Sequence, residues 1–313
     1  MSFAYALLVE YDGTSFRGWQ RQAGGPSVQE ELETAAGKLA RGVATTTVAG
    51  RTDAGVHAEG QVVELRLEKD FPAEKIAAAL NYHLRPHPIA VLRAVPAPQG
   101  WNPRFSAIRR LYRYRILNRP APPALAAGQV WHVPQPLDAG AMAEAARPLI
   151  GRHDFSSFRA AGCQAKSALR TLAGLEVQRD GEMIVITAAA RSFLYHQVRN
   201  IAGSLKLVGE GRWEPQHLAT VLAARDRRLA GPTAPASGLS LVSVLYRNAL
   251  FGPLFPAEQE MGPEQEGSGS DIDQQHENAG AHPTEREPVL GKEPLQPEPV
   301  SAQCAEQGRH SPA

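Results

Sequence analysis

The chain has 313 residues, 43% of them hydrophobic, which is enough for a sizeable core and for two domains. Its formal charge of +1 conceals two unlike parts: from Ala257 onward there are twelve acidic residues against three basic ones, so the 33 basic and 32 acidic residues of the whole leave 30 against 20 for residues 1–256. That basic portion suits a polyanionic partner, while two cysteines exclude a disulfide framework or cysteine-rich zinc site, and no apolar run reaches the length of about 18 residues that a membrane helix needs.

Met1 to Val9 lacks a basic leader and runs straight into Glu10 and Asp12, so it reads as a first strand and not as a signal peptide. With so few cysteines, a reducing, cytoplasmic setting fits. Ser27 and Glu30 form a capping box ahead of Val28, Leu32, Ala35 and Leu39, a helical spacing that predicts a helix over 28–40. Thr45 to Ala49 reads as a strand, and so does Gln61 to Leu67, where Val63, Leu65 and Leu67 alternate with polar residues. Between them lies Gly50-Arg51-Thr52-Asp53-Ala54-Gly55-Val56-His57, a tight loop that carries one guanidinium and one carboxylate on a sheet. In an extended loop Arg51 and Asp53, two positions apart, point into one cleft. Taken alone, the octapeptide is equally compatible with an Asx-type turn and a solvated arginine.

Pro72 opens a second helix over 73–84, which Pro86 and Pro88 stop, and strands follow at 89–95 and 111–117. This β-α-β-β-α-β run makes a first half, residues 1–119. A Pro- and Ala-rich linker over 120–128 opens a second half, residues 120–256. There Asp138 caps a helix that Gly151 closes, and strands at 171–178 and 183–189 pair across Arg179-Asp180-Gly181-Glu182. Helices over 194–208 and 215–224 and a last strand at 239–246 complete it. The fold class is therefore α+β, two similar halves in series. Residues 257–313 contain no Phe, Tyr or Trp and are rich in Glu, Gln, Pro, Gly and Ser, the composition of a disordered acidic tail.

The octapeptide has company. Glu10-Tyr11-Asp12-Gly13-Thr14, Gly18-Trp19-Gln20-Arg21-Gln22 and Ser27-Val28-Gln29-Glu30 precede it. Arg104-Phe105-Ser106-Ala107, Tyr112-Arg113-Tyr114, Asp154-Phe155-Ser156-Ser157-Phe158-Arg159 and Phe193-Leu194-Tyr195-His196-Gln197-Val198-Arg199-Asn200 follow it. In this order the motifs resemble the tRNA pseudouridine synthases of the TruA type, over about four-fifths of the chain. The resemblance implies a continuous antiparallel sheet with a central RNA-binding cleft, and a homodimer that shares one tRNA. It also implies isomerisation of uridine to pseudouridine in the anticodon stem-loop, with no metal and no cofactor.

The resemblance carries the catalytic role to Asp53. It makes Arg199 the cation that faces Asp53 across the cleft, and Arg51 the guanidinium that takes the flipped nucleotide's place in the stack. Tyr112 and Leu194 are placed against the target uracil, and Tyr114 is left as core. One carboxylate suffices for this chemistry, as a nucleophile or as a base that removes a ribose proton, and the sequence leaves both routes open. The apolar character of the helix around Arg199 argues against a fully exposed position there. Arg17, Arg21, Arg104, Arg109, Arg110, Arg113 and Arg115, near Trp19, Trp101 and Phe105, are expected to meet RNA phosphates and bases. His57 is read as structural, and no Gly-rich phosphate loop points to a nucleotide cofactor. Two other classes share some of these residues: a noncatalytic tRNA-binding module, which needs the arginines but not Asp53, and a nucleosidic-bond hydrolase, which needs a second acid or base that no motif supplies.

Overall fold

Side-chain alternation in the first strand sets the two faces of the sheet. In β1 (Phe3–Tyr11), Tyr5, Leu7, Val9 and Tyr11 enter the main core, whereas Leu8 joins a smaller cluster with Ala49, Val62, Ala107 and Tyr246. The computed structural model describes residues 2–248, 250 and 251. In chain order follow α1 (Val28–Ala40), β2 (Ala44–Val48), β3 (His57–Leu67), α2 (Ala73–Leu84), β4 (Ile89–Pro96), β5 (Ala107–Leu117) and β6 (Trp131–His132). The later elements are α3 (Ala139–Ala146), β7 (Gly151–Asp154), β8 (Leu169–Asp180), β9 (Met183–Ala190), α4 (Gln197–Gly209), α5 (His217–Ala224) and β10 (Leu239–Tyr246).

The strands form one ten-stranded sheet in the order β4-β1-β3-β10-β5-β9-β8-β7, with β2 on β3 and β6 on β5. The class is α+β, as the sequence predicts. The sheet is antiparallel except at two places, the pairing of β5 with β6 and a two-residue parallel seam, Ser240 with His57 and Leu241 with Ala58. At that seam β3 forks. Its first residues pair with β10, while its last five, Val63 to Leu67, pair with β2. The loop from β2 back to β3 therefore opens at the fork, where strands from early and late in the chain meet.

The main core runs along one face from Leu32, Ile76 and Leu80 under α1 and α2, through Tyr112, Tyr114 and Ile116 of β5, to Phe155, Ile186 and Ile201. Ser27 caps α1 as expected, its Oγ accepting the Glu30 amide at 3.3 Å.

Several boundaries differ from the sequence reading. β5 begins at Ala107 and not at Leu111, so Arg109 and Arg110 belong to the strand. α4 begins at Gln197 and not at Leu194, because His196 adopts a left-handed conformation (φ 58°) that a helix cannot contain. β6 and β7, of two and four residues, are too short to leave a periodic signal. No helix among the described residues is long and apolar enough to cross a membrane. The tail expected to be disordered, residues 257–313, lies outside the described residues.

Candidate active site

The Asp53 loop is held by side chains of β3 and of β1, its neighbour in the sheet. Gln61 of β3 donates its Nε2 to the Gly50 carbonyl at 2.7 Å and to the Tyr11 hydroxyl at 3.4 Å. That leaves the Tyr11 O–H to donate to Thr52 Oγ1 at 2.7 Å. The Trp19 amide reaches the Thr52 carbonyl at 3.0 Å, and the Asp53 carbonyl accepts the Val56 amide at 3.1 Å. A second loop passes so close that a Cβ on Gly18 (φ +99°) would stand 2.7 Å from the Thr52 oxygen. Only glycine fits there. His57 closes the loop in the structural role expected of it: Nδ1 accepts the Gly13 amide at 3.0 Å, so the proton sits on Nε2 and is donated to the Gly128 carbonyl at 2.9 Å.

So fixed, Asp53 turns its carboxylate toward α4. Oδ2 lies 3.3 Å from His196 Nε2 and 3.6 Å from Arg199 Nη1, with the Asp53 side chain one-quarter exposed. The expected pairing with Arg199 across the cleft is present in the geometry, and His196 is added to it. Arg199 is aimed from behind: its Nε donates to the Ala234 carbonyl at 2.8 Å, and the Ala234 amide returns to the Arg199 carbonyl at 3.1 Å. Burial pushes the Asp53 carboxyl above the usual aspartate range, and His196 and Arg199 pull against that rise without cancelling it. Burial also depresses His196, with Asp53 opposing and Arg199 and Arg227 reinforcing the fall, so the imidazole is neutral at physiological pH.

Tyr112 sits on β5, 9% exposed, its ring T-shaped against Phe193 at 5.1 Å and 87°. No protein group among the described residues hydrogen-bonds its hydroxyl. Burial raises the phenol, the neighbouring Tyr11 and Asp53 add to the rise, and Arg110 opposes it, so Tyr112 is a neutral phenol and not a phenolate. Tyr114, two residues on, is fully buried and donates to the Pro235 carbonyl at 2.8 Å, a core residue. Leu194 is buried at the start of the turn into α4. Arg51 is exposed and forms no ion pair with Asp53 among the described residues.

The predicted RNA-facing set divides. Arg110 is 7% exposed, and its guanidinium donates to the Ala49 carbonyl at 2.6 Å, to the Arg104 carbonyl at 2.9 Å and to the Arg191 carbonyl, so it is a clamp inside the protein and not a phosphate ligand. Arg113 and Arg115 lie on the opposite face of β5 from Tyr112, where both bind Glu59, at 2.9 and 2.6 Å. Trp19, 2% exposed, is core, and Trp101 packs on Tyr246 at 5.5 Å, so neither is a platform. Phe105 is 72% exposed with the Arg104 guanidinium 5.6 Å from its ring centre, and Arg17, Arg21 and Arg104 are exposed. Arg21 is shared with Glu33 at 3.0 Å. A groove of about 500 Å³, lined by Asp12, His57, Glu59, His87 and Arg115 among others, includes Tyr11 and His57 of the loop's frame but not Asp53, His196 or Arg199.

His196 and Phe193 stand inside a quoted motif, yet residue type alone gave neither a role. A family model described as tRNA pseudouridine synthase matches residues 7–106 and 145–247. The chain belongs to the tRNA pseudouridine synthase family. It is 63% identical over 244 residues to a tRNA pseudouridine synthase A of Acidiphilium cryptum (strain JF-5), a match covering 77% of this chain and 96% of that relative. A tRNA pseudouridine synthase A of Paramagnetospirillum magneticum (strain ATCC 700264 / AMB-1) is 58% identical over 242 residues, 77% of this chain and 94% of the relative. One from Rhodospirillum rubrum is 54% identical over 250 residues, 80% and 90% of the two chains. The family resemblance read from the motifs is thus met. Asp53, His196 and Arg199 of this synthase fall within the matched segments, Tyr112 falls between them, and the acidic tail lies beyond both.

Proposed function

We propose that this tRNA pseudouridine synthase isomerises uridine in the anticodon stem-loop, with Asp53 as its catalytic carboxylate. The observation that carries the assignment is a carboxylate whose Oδ2 lies 3.3 Å from His196 Nε2 and 3.6 Å from Arg199 Nη1. The chemistry asks for little more. The electron pair of the C1′–N1 bond leaves with the uracil as Asp53 attacks C1′ or removes the 2′ proton; the base turns, C5 bonds to C1′ as the Asp53–C1′ bond breaks or as C2′ regains its proton, and then the C5 proton departs and N1 gains one. No atom is added and no electron is exchanged. Arg199 favours the ionised carboxylate that either route requires, and the Tyr112 ring offers a face for the uracil beside Leu194. A neutral Tyr112 phenol takes the C5 proton only by passing its own onward.

Arg51, Arg104 and Phe105 form the exposed rim that we assign to RNA, Arg51 filling the gap left by the flipped nucleotide. Residues 1–119 and 120–256 serve as two halves that close on the substrate, and family resemblance supports a homodimer working in the cytoplasm. The test is turnover and tRNA affinity of purified Asp53→Asn protein, freed of host enzyme. We expect pseudouridine formation to vanish and affinity to stay within about twofold, because binding rests on many dispersed contacts. Retained activity removes Asp53 from its role and leaves a noncatalytic tRNA-binding module or a different catalytic group to be found.

A further inference from the structure

His196 occupies an uncommon place. It precedes α4 as the N-cap, where Ser, Thr, Asp, Asn or Gly normally sits and caps, yet its side chain makes no cap hydrogen bond and its backbone is left-handed (φ 58°, ψ 11°). A side chain in that region is uncommon, and such outliers gather at functional sites. The surroundings hold the conformation: the Asn200 amide bonds the His196 carbonyl at 2.9 Å, the Ala160 amide bonds the Tyr195 carbonyl at 3.1 Å, and the Leu194 amide bonds Gln197 Oε1 at 2.8 Å. The Tyr195 ring stacks on the imidazole at 3.9 Å and 30°. The position gives up helix capping and gains an imidazole at Asp53.

We propose that His196 is a positioning residue for the isomerisation: its Nε2, 3.3 Å from Asp53 Oδ2 and not aligned as a hydrogen bond in this structure, tightens onto that oxygen with Arg199 when substrate binds and leaves Oδ1 turned to the ribose. Neither Asp53 carboxylate oxygen accepts an aligned hydrogen bond among the described residues, and the imidazole and the guanidinium both stand on the Oδ2 side. The charged and titratable groups around the imidazole are Asp53 from the loop after β2, Arg199 one turn along α4, and Arg227 from the turn after α5, with Tyr112 of β5 behind Asp53. With two guanidiniums near it, a neutral imidazole is the form that fits, and donating from Nε2 stabilises the ionised carboxylate.

This inference rests on Asp53 being the catalytic carboxylate, so Asp53→Asn accompanies every comparison. The variants are His196→Gly, which accepts the left-handed backbone and removes the imidazole, and His196→Asn, which accepts the same backbone and keeps a short amide donor. Single-turnover rates, tRNA affinity, thermal midpoint and the pH profile are measured on the full chain with tRNA. We expect His196→Gly to stay folded, bind tRNA normally and turn over roughly tenfold to a hundredfold more slowly, as loss of a supporting hydrogen-bond partner does elsewhere. Its acid limb moves to higher pH, since the carboxylate loses a donor, and His196→Asn recovers part of both effects. An unchanged rate and pH profile in both variants, with Asp53→Asn inactive, overturns the role of His196 alone. Losses confined to tRNA affinity also overturn it, by making His196 an RNA contact, and activity in Asp53→Asn overturns the assignment beneath it.

Discussion

In its proposed role Asp53 has to be charged, and burial opposes the charge. Its carboxyl lies above the usual aspartate value of about 3.9, so the acid limb of kcat/KM is expected above that value. The same shift means that the folded chain binds this proton more tightly than the unfolded one. Stability from this group is therefore lost as pH rises through the two values, and Asp53→Asn is expected not to lower the thermal midpoint at neutral pH while it abolishes turnover. A midpoint several degrees below the parent's at pH 7 contradicts that reading. For Tyr112 the prediction separates ring from hydroxyl: Phe keeps the face and loses the proton relay, so it is expected to be slow, and Ala, which loses both, slower still. Equal, near-native rates for the two would take Tyr112 out of the site. At Arg110, whose donors go to three backbone carbonyls, substitution by Ala strands buried acceptors, and each stranded group costs about 1–3 kcal/mol. Its effect is thus expected in the thermal midpoint and not in the salt dependence of tRNA binding.

Between the residues and the fold stands one short segment, residues 231–236, that aims the site from behind. It bonds Arg199 through Ala234, receives Tyr114 at Pro235 and sends the Gly231 amide to Ser204 Oγ at 2.9 Å. Its contact with α4 is backbone against backbone, since a Cβ on Gly203 would fall 1.7 Å from the Pro232 oxygen. Gly203→Ala must therefore part the helix from the segment. We expect a loss of about 3 kcal/mol or more in denaturant unfolding, and in the protein that stays folded a slower turnover with tRNA affinity retained. An Ala variant of native stability would show that the approach is looser than this. The elements themselves were legible: the helices over 28–40 and 73–84 and the strand over 239–246 carry strong periodicity and flanking proline or capping residues. The candidate site was legible where a motif named a charge, as at Asp53 and Arg199, whose side chains the structure brings together. His196 was not, because its placement depends on a left-handed backbone that no spacing of side chains reveals. Arg110 and Trp19 were misread because arginine and tryptophan suit both RNA and core, and the start of β5 at Ala107 decides which face each β5 arginine takes.

Over the whole molecule, the charge division of the sequence bears on RNA. The family match ends at residue 247, and the composition beyond Ala257 lacks the aromatic residues a core would use. Deleting 257–313 is expected to leave the thermal midpoint and the single-turnover rate unchanged. Removing twelve acidic residues against three basic ones is expected to raise tRNA affinity modestly at low salt, with the gain fading as ionic strength increases. Binding and turnover across a salt series check this, and a truncated protein that binds but no longer turns over contradicts it. The place of β10 has a further consequence, for the order of events at the ribosome. The last strand among the described residues, β10, lies in the middle of the sheet, between β3 and β5. A nascent chain short of Tyr246 holds both neighbours with an unsatisfied edge, open to mispairing, and has no junction at the Asp53 loop. The enzyme is thus expected to stay inert toward its substrate until about four-fifths of the chain is made, and chains ended before Leu239 are expected to be protease-sensitive and inactive throughout, with no active half among them.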